Sequence, residues 1–204
     1  MSKVAFNSDT PEVYRLLQAA SGKLCFDIGA NGGFLAEQFS HNFDMVVAVV
    51  PCQESYQHLH ALWHIGNLIP IRKAVSDHEG TVTLGVKKYT HSLGELFTGD
   101  TLSHWGPNQD TRTVACTTLD ALAAEYGYPD FVKIDTEGHE WYIMQGGKEV
   151  FNKTPQFVIE VHSAENGEHI QDYLLSIFQP FRIVRHIGYN EDHPDYYQHY
   201  WIVG

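Results

Sequence analysis

The stretch "KLCFDIGANGGF", Lys23–Phe34, constrains this chain more than any other. Its first half is a short apolar run that ends on Asp27 and Ile28. Its second half places Gly29, Gly32 and Gly33 around Ala30 and Asn31 before apolar residues resume. That order predicts a buried strand, a tight loop and a helix starting near Gly33. Glycines let the loop turn sharply and bring its backbone close to a ligand. The helix start would offer N–H groups to a carboxylate or phosphate. Asp27 could accept hydrogen bonds from an ammonium. A plain structural turn is the competing reading, and the strand–loop–helix setting argues against it.

The rest of the chain repeats the alternation. "TPEVYRLLQAASG" predicts a helix capped by Thr10, with Pro11 in its first turn and Gly22 ending it. "DMVVAVV" and "LIPIRKAV" predict buried strands with the helical "QESYQHLHALWHI" between them. "TVTLGV" predicts a further strand or a hairpin arm, and residues 87–113 a long loop over one sheet edge. The helix "TTLDALAAEYGY" has capping-box-like spacing at Thr117 and Asp120. "DFVKID", "PQFVIEVH", "FRIVRHIGY" and "QHYWIVG" predict four more strands, the last two joined as an antiparallel hairpin. Helices between strands imply a mostly parallel α/β sheet.

Composition narrows the function. The 204 residues suit a single domain, 1–204, whose first 23 residues hold a helix ahead of the core. Thirteen basic and 25 acidic residues give a net charge of -12, which disfavours a nucleic-acid partner. No apolar run reaches the roughly 20 residues that span a bilayer, so no membrane partner is expected. The start carries no apolar signal region, and Cys25, Cys52 and Cys116 form no CxxC pair. Both point to a cytoplasmic setting. His60 and His64 stand four apart and could share a metal, but without an HExxH signature they read as surface or packing residues.

Two further motifs sit at predicted strand ends, where open parallel sheets bind ligands. "DFVKIDTEGHEW" gathers Lys133, Asp135, Glu137, His139 and Glu140. Its plain alternative is a helix cap at Asp135. "FVIEVH" supplies Glu160 and His162, which alternation puts on one face. An acid at that depth is costly unless paired or ligating, so Glu160 is the stronger functional candidate. For His162 an exposed loop position is an equal expectation.

With "FDIGANGG", "VVPCQESYQHL", "RKAVSDHEG", "TTLDAL", "DFVKIDTEGHEW" and "PQFVIEVH" in this order, the chain resembles the FkbM family of S-adenosylmethionine-dependent methyltransferases. The resemblance implies a Rossmann-like class I methyltransferase fold, a mostly parallel seven-stranded sheet with an antiparallel last strand. It implies S-adenosylmethionine as cofactor and O-methylation of a hydroxyl on a sugar or other small metabolite. Asp27, Gly29, Ala30, Asn31 and Gly33 would hold the methionine half. Val50 and Pro51 would meet the ribose, and Ala74 the adenine. Asp135 would lie by the cofactor and, with Glu137, face the acceptor, with Glu160 and His162 opposite.

One departure stands out. The family pattern has Glu before Pro51, where it binds the ribose hydroxyls; this chain has Val50. Valine cannot accept those bonds, and Glu54 in the next helix is a doubtful substitute. A non-catalytic methyltransferase-fold binding module is therefore the alternative. A nicotinamide enzyme fits less well, since the loop is not GxGxxG and that cofactor also wants the missing acid. For catalysis, His139 or His162 is the expected base. Asp135, Glu137 and Glu160 could instead hold a hard cation, with Asp135 and Glu160 its first ligands. A metal is not required by the pattern. His91, Ser92, His104 and Trp105 are expected to shape the acceptor pocket.

Overall fold

The computed structural model describes residues 11–90, 96–101, 110–162, 164–177, 179–185 and 200–204. Strand β1 (Gly22–Ile28) lies at the centre of a seven-stranded sheet. On one side it pairs in parallel with β2 (Phe43–Val49), which pairs with β3 (Leu68–Ile71). On the other side follow β8 (Phe131–Ile134) and β9 (Gln156–Val161), again parallel. The last strand, β11 (Tyr200–Val203), enters between β9 and β10 (Arg182–Arg185) and is antiparallel to both. The order is therefore β10-β11-β9-β8-β1-β2-β3. This is the expected sheet, terminal hairpin included.

Strand alternation divides the core into two faces. Phe26, Ile28, Val47, Val49, Val132, Ile134, Phe157 and Ile159 point one way. They meet the helices α4 (Leu119–Tyr126), α5 (Glu140–Gln145), α6 (Lys148–Lys153) and α7 (Ala164–Ser176). Cys25, Val46, Ala48, Val50, Phe131 and Val158 point the other way, under α1 (Pro11–Ala19), α2 (Phe34–Ser40) and α3 (Gln53–Ala61). Asp27, Lys133, Asp135, Glu160 and His162 share the parity of this second face. Polar chemistry thus follows apolar packing along the same rows, at the strands' C-terminal ends.

Several expectations need correction. Gly22 opens β1 rather than ending the first helix, which stops at Ala19. The predicted strand "LIPIRKAV" is two strands: β3 stays in the main sheet, and β4 (Ala74–Val75) joins a second one. Residues 87–113 are not one long loop. β5 (Gly80–Thr90), β6 (Leu96–Thr101) and β7 (Asp110–Thr117) form that second sheet with β4, in the order β4-β7-β5-β6. The cap of α4 is Thr118, whose Oγ1 accepts from the Ala121 N–H at 3.0 Å. Asp120 instead accepts from the N–H groups of Glu149 and Val150, at 3.2 and 3.0 Å, and so caps α6. Thr10 and the acceptor-pocket residues His91, Ser92, His104 and Trp105 lie outside the described residues.

Candidate active site

The glycine loop folds as expected and is tightly built. Gly29 has φ 78° and Gly33 φ 93°, the left-handed region that glycine adopts without strain. A Cβ on Gly29 would lie 1.8 Å from the Asp135 carbonyl oxygen, so the loop and the end of β8 are in backbone contact. The N–H groups of Gly29 and Ala30 both donate to the Val49 carbonyl, at 2.9 and 3.0 Å. Asn31, also left-handed at φ 48°, accepts at Oδ1 from the Ser55 hydroxyl at 3.0 Å and ties the loop to α3. Three strand ends and one helix therefore fix the loop.

Beneath it lies a buried ion pair. Asp27 and Lys133 face each other in the β1–β8 register and are 0% and 2% exposed. Lys133 Nζ sits 3.3 Å from Asp27 Oδ1 and 3.5 Å from Asp135 Oδ2, and it donates to the Gly29 carbonyl at 3.1 Å. Burial opposes the ammonium, but the two carboxylates outweigh it and raise the Lys133 pKa. Burial also pushes the Asp27 carboxyl up, with Lys133 opposing. Neither Asp27 oxygen has a well-formed hydrogen bond among the described residues.

Next to this pair, β8 and β9 present a second cluster. Glu140 is 0% exposed. Its Oε1 accepts from the Gly138 N–H at 2.8 Å and from Thr136 N and Oγ1, each at 3.3 Å. The same oxygen lies 2.9 Å from His162 Nδ1. One carboxylate thereby holds the whole turn after β8, including Glu137 at φ 56°. Burial alone would raise the Glu140 pKa; the His162 contact and the N–H donors reverse this and lower it. For His162, burial favours the neutral ring, but the Glu140 bond and the nearby Asp135 and Glu160 push it up to about 10. His162 is thus a buried, anchored residue and not an exposed loop side chain. A ring held protonated at neutral pH is a poor general base.

The other base candidate differs. His139 Nε2 lies 3.0 Å from Ser76 Oγ, and its ring stacks on Tyr142 at 4.6 Å. Burial pulls its pKa down to about 4 against the pull of Glu140 and Asp77. Glu160 moves the opposite way: burial, reinforced by the Asp135 charge, raises its carboxyl pKa. The expected metal pair of Asp135 and Glu160 is not the set whose donor atoms converge. Among the described residues, Asp135, Glu137 and His162 offer atoms all within 4.8 Å of one another.

At the expected nucleoside end the structure is less polar. Val50 is 5% exposed and belongs to the second core face, with its N–H donating to Ile71. Ala74 is buried and pairs with Cys116. Pro51 lines an open cleft of about 470 Å³ with Gln53, Arg72, Arg112, Thr113, Val114 and Ala115. Glu54 accepts from Arg112 Nη1 at 2.8 Å and from the Cys52 thiol at 3.0 Å. These bonds, Arg112's first, lower its pKa to about 2.

A seven-stranded sheet with an inserted antiparallel strand, carrying a glycine loop and acids at its C-terminal edge, can be set against known proteins. The Methyltransferase FkbM domain matches residues 27–190. The chain belongs to the FkbM methyltransferase family. No curated protein matches it. Among solved structures, Methyltransferase FkbM from Methylobacillus flagellatus KT is similar, with a TM-score of 0.59 at 16% identity, over 90% of this chain and 44% of that one. The chain thus spans less than half the length of that FkbM protein. An rRNA methylase from Streptococcus thermophilus gives 0.56 at 8% identity, over 94% and 92% of the two chains. TrmK from M. capricolum, solved with S-adenosylhomocysteine, gives 0.53 at 12% identity, over 94% and 65%. Such identities carry the fold.

Within this FkbM domain, sequence reasoning brought together the right strand ends but missed the groups that organise them. Lys133 and Glu140 were visible in "DFVKIDTEGHEW" without an assigned task. Part of the signal was available, since a lysine inside a buried strand needs acidic partners; that Asp27 is one of them follows from the β1–β8 register.

Proposed function

We propose that the chain is an S-adenosylmethionine-dependent methyltransferase acting on a hydroxyl of a sugar or another small metabolite. The observation that carries this reading is the backbone contact of Gly29 with Asp135, which joins the loop expected at the methionine half to the acids expected at the acceptor. The donor set suits the cofactor. Asp135 and Glu137 form an acidic edge, and the cofactor carries a sulfonium and an ammonium. Asp27, expected to accept from the ammonium, is instead fully buried against Lys133 and supports this edge from beneath. When bound, it would supply the methyl group and a thioether leaving group.

The chain's own residues would hold and orient. Lys133 fixes Asp27 and Asp135 relative to the loop, and Glu140 fixes Glu137 and His162. Neutral His139 is the better proton acceptor of the two histidines, although a pKa near 4 makes it a weak one. The net charge of -12 favours a small acceptor over the RNA named for the rRNA methylase.

Burial of Val50 favours a second reading, a binding module with a weakened nucleoside end. Calorimetric titration of S-adenosylmethionine into wild type and Val50→Glu separates the two. A hydrogen bond to a charged group contributes about 1.5–3 kcal/mol. Desolvating a new carboxylate at this closed position takes part of that back. The expected result is weak wild-type binding that tightens about tenfold in the variant. Absence of binding by both proteins, each folded, would leave only the second reading.

A further inference from the structure

We propose that Asp135, Glu137 and His162 form a binding site for a divalent transition-metal ion. Their donor atoms lie within 4.8 Å of one another. His162 Nε2 is 3.8 Å from Asp135 Oδ1 and 3.9 Å from Glu137 Oε2. Any two ligands of a tetrahedral ion with bonds of about 2.1 Å stand roughly 3.5 Å apart. The two distances from His162 come within a few tenths of an ångström of that spacing.

The histidine distinguishes this group from a patch of surface acids. His162 is buried, and its Nδ1 lies 2.9 Å from the Oε1 of fully buried Glu140. With Nδ1 bonded to Glu140, Nε2 faces two carboxylate oxygens. Without an ion the ring's own Nε2 proton lies between them, and a metal ion would bind by displacing that proton. A ligating histidine typically donates its other N–H to a carboxylate, which sets its tautomer and orientation. Glu140 occupies that place and also holds the turn that carries Glu137, through Gly138 and Thr136. Asp135 is held from its other oxygen by Lys133. Each of the three ligands is thus positioned by a second buried group or by the turn it fixes.

One imidazole and two carboxylates suit Mn²⁺ or Zn²⁺ better than Mg²⁺, which prefers oxygen alone. Three protein ligands leave positions open to an outside oxygen, and an ion there would lower the pKa of a hydroxyl bound to it. The site needs no cofactor, so the test uses the chain alone, and its failure would leave the methyltransferase reading standing.

The experiment titrates Mn²⁺ into the protein and follows loss of the aqueous Mn²⁺ electron-paramagnetic-resonance signal. The expected result is one ion bound per chain in the micromolar range, displaced by Zn²⁺. Glu137→Gln, at an exposed position where folding is not at stake, should weaken it at least about tenfold, and His162→Gln likewise. Far-ultraviolet circular dichroism confirms that both variants fold. No signal loss at millimolar Mn²⁺ would overturn the proposal and leave an imidazolium proton in that space. Equal affinity in wild type and both variants would overturn it too, by putting the ion elsewhere.

Discussion

Lys133 shows at the residue scale why this site is rigid. Its ammonium is buried, and among the described residues Asp27, Asp135 and the Gly29 carbonyl compensate for the lost water, with Glu160 adding its charge. Removing one partner of such a pair leaves an uncompensated buried charge. Lys133→Met should therefore destabilise the fold by about 3–5 kcal/mol, read as a lower urea midpoint at unchanged slope. A loss under 1 kcal/mol would mean that Asp27 takes up a proton at little cost. Residue-level reading of the sequence fared unevenly here. Alternation put Glu160 and His162 on one face, and the apolar runs put Asp27 and Asp135 each at a strand end; that the two strands adjoin is a finding of the structure. Alternation could not tell that His162 is buried, because the partner that anchors it, Glu140, lies 22 residues earlier. Spacing along a chain reports which way a side chain points, not what waits for it there.

At the scale of elements, the legible parts were those with local signals. The five parallel strands of the main sheet show as apolar runs, because parallel strands covered on both faces are apolar throughout. The second sheet was legible only in "TVTLGV", expected as a strand or hairpin arm and found in β5; β6 and β7 escaped. Its ladders pair Gly80 with Cys116 and Val82 with Val114, partners far apart along the chain. The segment between them is rich in turn formers, so its strands read as loop. The same limit hid Asp120. Its spacing from Thr117 suggests a cap on its own helix, yet it caps α6 from 29 and 30 residues away. Asp120→Ala should then cost about 0.5–2 kcal/mol by freeing the first turn of α6. Hydrogen exchange should rise at Glu149 and Val150 and stay unchanged in the first turn of α4. Protection lost in α4 instead would return Asp120 to its own helix.

On the scale of the whole molecule, the two site histidines should set opposite limits on stability. His139 titrates near 6.5 when unfolded and at about 4 when folded. The unfolded chain therefore takes the proton first, and stability is lost as pH falls from 6.5 towards 4. His162 is raised to about 10, so its contribution is complete below 6.5 and is lost as pH rises through 10. Thermal midpoints measured across this range in a chelator should fall less steeply on the acid side in His139→Gln. They should fall less steeply on the alkaline side in His162→Gln. Unchanged slopes in both would separate these rings from the pH dependence. The placement of β11 bears on a different property, the order in which the chain can be finished during synthesis. Residues 22–161 supply five of the seven strands of the main sheet, and β10 cannot join them until residues 200–203 have been made, because β11 stands between β10 and β9. Until then β9, an apolar strand, shows the nascent chain's neighbours an open row of backbone donors and acceptors. A polysome making this protein holds many such edges side by side, each open until its own β11 has been made.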